Sequence, residues 1–209
     1  MTEQAAPETA GHELRKLKET IAGVLESAKQ HGASQAEASA NTASGLSVGT
    51  RMREVETLEF HRDQGLTVTV YFGQRKGSAS TSDLRTEYLS ETVAKACSLA
   101  RFAAEDDCAG LADAARMARD VADPGLSHPW PIEAPQAIDL ALECEAAALD
   151  TDPRINNSEG AALSTHHGFS VYGNSHGFLE GYADTEHSLS CAVLASDGQE
   201  MQRDFEYSV

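Results

Sequence analysis

Leu14, Leu17, Ile21, Val24, Leu25 and Ala28 recur at intervals of three and four residues. That spacing gathers them on one face and predicts an amphipathic helix, with Gly32 as its C-terminal cap. Residues 1–11, small and polar, read as a disordered leader. The period then shortens to two, and strands are expected across 36–81, in pieces at 36–42, 46–52, 55–60, 66–72 and 74–81. Within 55–60, Val55, Thr57 and Glu59 alternate with Glu56, Leu58 and Phe60, as in a half-solvated antiparallel strand. The run Leu66-Thr67-Val68-Thr69-Val70-Tyr71-Phe72 is the strongest strand signal, being unbroken and rich in β-branched residues. Gly73 turns the chain into a strand of small residues suited to lie close under a helix.

A second helix is expected over 87–104, capped by Thr86, with Glu87 favoured in its first turn by the helix dipole. Its buried stripe is Leu89, Val93, Ala96, Cys97, Ala100 and Ala103. From 105 to 132 the chain reads as irregular, with one short helical piece near 111–117. Asp123-Pro124-Gly125 and His128-Pro129-Trp130-Pro131 interrupt regular structure. A third helix over 135–150 starts at Pro135, with Ile138, Ala141, Leu142, Ala148 and Leu149 inward, and ends before Asp152-Pro153. A strand meander fills 155–208, in pieces at 155–166, 169–173, 178–185, 187–195 and 201–208. Asp197-Gly198 marks one hairpin, and Gly173 to Gly177 another. This order predicts an α+β fold, mainly antiparallel sheets packed with about three amphipathic helices. The last strand runs into Val209 without a polar tail, which reads as the front part of a longer protein.

Composition narrows the function. The chain is 41% hydrophobic but only 6% aromatic, so its core is expected to be rich in Ala, Leu and Val. A net charge of −17 with no basic stripe argues against direct nucleic-acid binding, which needs Lys and Arg to displace counterions. Neither a membrane-length apolar run nor a secretion signal is present, and the expected location is cytoplasmic. Cys97, Cys108, Cys144 and Cys191 form no C-x-x-C pair and read as reduced thiols.

The most tempting catalytic pattern is G-x-S-x-G at Gly173-Asn174-Ser175-His176-Gly177. A nucleophile elbow needs a strand, a tight turn and then a helix, with an acid and a His downstream. Here Phe178 to Asp184 reads as strand, and Asp184 and His187 sit too close on one strand to fan out around Ser175. The hairpin reading is preferred, with a free-standing serine hydrolase as its alternative. H-E-x-x-H is absent. His61, His166, His167, His176 and His187 lie in strand-rich parts without ligand spacing, and adjacent His166 and His167 face opposite sides of a strand. Arg75-Lys76-Gly77-Ser78 lacks the following helix N-terminus of a phosphate site. No catalytic or metal residue is assigned.

A further set of pieces runs in order along the chain: Gly45-Leu46-Ser47-Val48-Gly49-Thr50-Arg51, Glu54-Val55-Glu56-Thr57-Leu58-Glu59-Phe60, Arg75-Lys76-Gly77-Ser78-Ala79-Ser80 with Asp83-Leu84, and Cys108-Ala109-Gly110. Asn157-Ser158-Glu159-Gly160, Tyr172-Gly173-Asn174-Ser175-His176-Gly177, Glu186-His187-Ser188-Leu189-Ser190 and Met201-Gln202-Arg203-Asp204 complete it. In order and spacing these pieces resemble the TldD/PmbA family, the modulators of DNA gyrase, and within it the PmbA (TldE) branch. The resemblance implies an N-terminal α+β domain over 12–209, with the family's C-terminal half absent. It also implies a TldD-like protease subunit as partner, which carries zinc in an H-E-x-x-x-H helix, and unfolded peptide as substrate. The PmbA-type subunit would then form chamber wall and interface without catalysis of its own. A scaffold that assembles only with itself, as a homo-oligomer without that partner, is the remaining alternative.

Overall fold

The alternation expected as many short strands runs on as a few long ones. The structure, a computed structural model, describes residues 7–209. Helix α1 spans Pro7–Gln30, β1 Gln35–Arg51, β2 Glu54–Phe72 and β3 Arg75–Thr81. Helix α2 spans Thr86–Phe102 and α3 Ala134–Leu149. The remaining strands are β4 Ile155–Asn174, β5 Leu179–Asp197 and β6 Glu200–Ser208. All six strands form one antiparallel sheet in the order β3-β2-β1-β4-β5-β6. The fold is α+β, as the order of apolar patterns required.

Several expectations are corrected. Residues 7–11, expected within a disordered leader, belong to α1, which is described from Pro7 onward; residues 1–6 lie outside the described residues. The separate pieces at 36–42 and 46–52 are one strand, and the same holds for 55–60 with 66–72. Gly45, in the gap between the two expected pieces, is a packing residue: a Cβ there would collide with the Thr165 carbonyl oxygen and the His61 ring. Gly168 does the same in β4, making room for His166 and Asp184. Finally, Thr86 does not cap α2. Arg85 occupies the cap position with no side-chain bond, and Asp83 holds the Arg85 N–H at 3.0 Å.

One pleat of the sheet carries the helices. Along β1 the even-numbered Ala36, Ala38, Ala40, Leu46, Val48 and Thr50 are buried. Over one end, Leu17, Ile21, Val24 and Ala28 of α1 and Val93, Ala96, Cys97 and Ala100 of α2 close a core with Leu66, Val68, Val70, Phe169 and Val171. The alanines let the helices approach closely. Gly77 goes further: a Cβ there would strike the α2 backbone at Ala96 and Ala100. At the other end, α3 packs Ala137 and Ala141 on Leu46, Val48 and Leu163 in a smaller second core.

Beyond the helices the sheet continues without cover. Val55, Leu58 and Phe60 on β2, and Met201, Phe205 and Tyr207 on β6, are exposed. The inward face of α3 also differs from expectation. Of the five residues assigned to it only Ala141 is fully buried, and Ala137 and Glu145 share its line at a spacing of four.

Between α2 and α3, residues 103–133 form a strap containing a single 3₁₀ turn at Ala114–Arg116. Its Asp106 N–H donates to Gln74 O at 2.9 Å, and its Leu111 N–H to Gln35 Oε1 at 2.9 Å. Further on, Leu126 O accepts the Thr185 N–H at 3.1 Å. The strap thus runs from the β2–β3 turn past the start of β1 to the outer edge of β5.

Candidate functional site: the β4–β5 turn and the strap

The G-x-S-x-G stretch is the turn joining β4 to β5, and a strand follows it where an elbow would need a helix. Ser175 exchanges two hydrogen bonds with Ala36: its N–H donates to Ala36 O at 2.8 Å, and its Oγ accepts the Ala36 N–H at 3.0 Å. The hydroxyl therefore extends the β1–β4 ladder past its last paired residues. Asn174, buried, uses Oδ1 to accept the His176 N–H at 3.0 Å, the Asx bond that shapes a tight turn. Gly177 supplies the left-handed residue at φ 92°. His176 Nδ1 lies 3.0 Å from Ala112 O, so the ring pins the strap rather than serving Ser175. The motif residues Asn174, Ser175, His176 and Gly177 come together as one hydrogen-bonded turn.

Beside the turn, Glu37 accepts two phenols, Tyr71 Oη at 2.7 Å and Tyr172 Oη at 2.8 Å. Burial, reinforced by the bond to Glu37 and its charge, pushes the Tyr71 hydroxyl well above the usual phenol range. Tyr172 is raised chiefly by burial as well. Both phenols therefore stay protonated and donate. A cleft of about 1120 Å³ reaches Tyr172, between the strap at Val121, Pro124 and Leu126 and the sheet at Tyr172, Gly181 and Tyr182. Ala10 and Leu14 of α1 add apolar wall.

The histidines separate by pleat, as their adjacency required. His61 and His166 flank Gly45 on one face, and His166 Nε2 lies 3.6 Å from Asp184 Oδ2. His167 and His187 lie on the face that carries the helices. There His167 packs on Phe169 at 4.7 Å and His187 on Trp130 at 5.6 Å between ring centres. His187 Nε2 bonds to His128 O at 3.0 Å, which ties the strap to β5. Burial holds the His167 imidazole below its ordinary value, although Asp184 pulls it upward.

The buried carboxylate is the residue that sequence reasoning missed. Glu145 Oε1 accepts the Met52 N–H and Oε2 the Arg53 N–H, both at 2.8 Å. Met52 and Arg53 form the β1–β2 turn with φ of 50° and 66°, a left-handed pair built without glycine. Arg53 also reaches Asp150 at the end of α3. Burial alone would raise the Glu145 carboxyl. Hydrogen bonds from Ser158, Arg53 and Met52, with the Arg53 charge, outweigh it and hold the group below the ordinary carboxylate value. The repeat Ala137, Ala141, Glu145 was the available signal, but an acid on that line reads as solvent-facing.

These side chains fasten the turns and the strap to the sheet. No base activates Ser175, whereas the sheet leaves backbone groups unpaired at its edges. Strand β3 pairs β2 only from Leu66 to Phe72, so the 54–64 stretch of β2 has no strand on that side among the described residues. The outer side of β6 is likewise an edge. No helix among the described residues is long and apolar enough to cross a membrane.

The comparisons agree with the fold. The family models described as PmbA/TldA metallopeptidase domain 1 and central domain match residues 36–104 and 127–209. Metalloprotease PmbA of Escherichia coli O157:H7 is 44% identical over 195 residues, covering 92% of this chain and 43% of its own length. A PmbA homolog of Haemophilus influenzae is 43% identical over 195 residues, covering 93% of this chain and 43% of its own length. The chain thus spans less than half the length of these curated relatives. A solved structure described as a modulator of DNA gyrase, from Bacteroides thetaiotaomicron, has a TM-score of 0.82 at 21% identity, covering 98% of this chain and 45% of that one. TldE from Thermococcus kodakarensis has a TM-score of 0.69 at 12% identity, covering 90% of this chain and 42% of that one. At those identities the structures show the shared fold, while the family models and curated relatives go further: the chain belongs to the PmbA/TldD family.

Proposed function

We propose that this chain is the N-terminal wall and peptide-holding part of a PmbA-type subunit, in a cytosolic peptidase complex that trims unstructured peptides. The observation that carries the reading is the pair of uncovered sheet edges, at β2 54–64 and β6, in a member of a metallopeptidase family. An extended peptide adds to such an edge through main-chain hydrogen bonds, which hold it without demanding a sequence. The exposed Val55, Leu58 and Phe60 of β2, and Met201, Phe205 and Tyr207 of β6, offer apolar contact to its side chains.

Hydrolysis is assigned to a TldD-like companion that carries zinc. The described residues bring no three His, Cys, Asp or Glu side chains into a set fit for a metal ion. The bonded state of Ser175 gives a serine mechanism no support.

The test is to mix the chain with a TldD-type subunit from the same source, separate by size, and assay peptidase activity and zinc across the fractions. Co-elution, with activity and zinc following the TldD-type subunit, is expected. Chelator-sensitive hydrolysis of an unfolded peptide by this chain alone would overturn the reading. A homo-oligomer indifferent to the companion would replace it with a self-assembling scaffold.

A further inference from the structure

We propose that Cys144 and Cys191 are a reversible redox pair, closing to a disulfide that fastens α3 to β5. The sheet register places them together. Leu189 pairs with Leu163 and Cys191 with Ala161, and Ala161 in turn lies opposite Thr50. Leu163 and Thr50 are both buried on the face that α3 covers, so Cys191 projects toward that helix. Cys144 stands one turn after the buried Ala141 and next to Glu145, at the part of α3 that lies over this stretch. Cys144 is among the neighbours that perturb the Cys191 thiol, and both residues are partly exposed, within reach of a small oxidant. Nothing in the peptide-holding role uses either sulfur.

The co-reactant is a small-molecule disulfide of the glutathione type. Burial first, then the neighbouring Cys144 and Glu145, push the Cys191 thiol up to about 11, so the opening attack falls to Cys144. Its thiolate attacks one sulfur of the small disulfide and expels one thiolate, leaving a mixed disulfide on Cys144. Cys191 then gives up its proton and attacks the Cys144 sulfur, expelling the second small thiolate. Two cysteine thiols are oxidised, one small disulfide is reduced to two thiols, and the two cysteine protons end on those thiols. The closed pair ties α3 to β5 across the smaller core. Through Glu145 it also steadies the β1–β2 turn. This inference is independent of the peptidase reading and is tested without a protease assay.

The experiment incubates the purified chain in glutathione buffers of increasing oxidised fraction, quenches with acid, alkylates free thiols and measures intact mass and tryptic peptides. The expected product has lost two hydrogens, keeps Cys97 and Cys108 alkylatable, and links tryptic peptides 120–154 and 155–203. Dithiothreitol should reverse it. The oxidised chain should melt at a higher temperature than the reduced one, and Cys144→Ser or Cys191→Ser should each abolish both the link and that difference. Full alkylation of both cysteines in excess oxidised glutathione would overturn the proposal, as would glutathione persisting on Cys144 or a link to Cys97 or Cys108.

Discussion

Replacing Glu145 tests the link between α3 and the β1–β2 turn. The side chain is 0% exposed and accepts two backbone N–H groups at 2.8 Å each, from residues held at positive φ. A hydrogen bond to a charged group contributes about 1.5–3 kcal/mol net. Met52 is 48% exposed, so water can satisfy part of what Glu145→Ala leaves open. The lower ends of the range therefore apply, giving a loss of about 3 kcal/mol for the two bonds. For a chain of this size that corresponds to a midpoint roughly 6–12 °C lower.

The left-handed turn supplies an internal control. Non-glycine residues in that region cost about 1–2 kcal/mol each, and Asn-Gly suits it far better than Met-Arg. In a Met52→Asn/Arg53→Gly background the Glu145→Ala loss should shrink by at least about 1 kcal/mol, read as coupling in a double-mutant cycle by urea denaturation. A Glu145→Ala midpoint within about 2 °C of wild type would refute the argument. Equal losses in both backgrounds, with coupling below about 0.5 kcal/mol, would refute it too. The pH dependence has a definite sign. The folded carboxyl titrates below its unfolded value, so its contribution is complete above about pH 4.3 and fades as pH falls through the folded value. Glu145→Gln should lose that part of the acid sensitivity.

Gly77→Ala would drive a methyl into the α2 backbone at Ala96 and Ala100, with a destabilisation of about 2 kcal/mol expected in urea; an unchanged midpoint would mean that α2 does not rest on β3. Ser175→Ala removes the acceptor of the Ala36 N–H and should cost about 1 kcal/mol, while a serine-directed phosphonate labels neither protein. Labelling of wild type that disappears in Ser175→Ala would restore the hydrolase alternative. His167 is held below its ordinary 6.5 by burial, so its contribution is complete above that pH and declines as pH falls toward the folded value. His167→Gln should flatten thermal stability across that window, and an unaltered profile would place the pH dependence elsewhere.

Periodicity alone determined the three helices, the stripe of α2, the Leu66 to Phe72 strand and the Asp197-Gly198 hairpin, because local spacing fixes which face of an element is apolar. It also separated His166 from His167, since a strand alternates faces whatever it packs against. Strand length was decided elsewhere. Gly45 and Gly168 lie in gaps between the expected strand pieces, and only the folded sheet shows that their missing side chains leave room for His61, His166 and Asp184. Within the candidate site, the order of turn residues around Ser175 was legible, whereas the bonds tying Ser175 to Ala36 and His176 to the strap join residues far apart in the chain. Glu145 was illegible for the same reason. A carboxylate on a helix reads as solvated until a distant turn with two unpaired N–H groups folds onto it. The meeting of Cys144 with Cys191 depends likewise on where α3 settles. Sequence sets the local period; the packing of distant elements chooses which polar groups lose their water and must find one another.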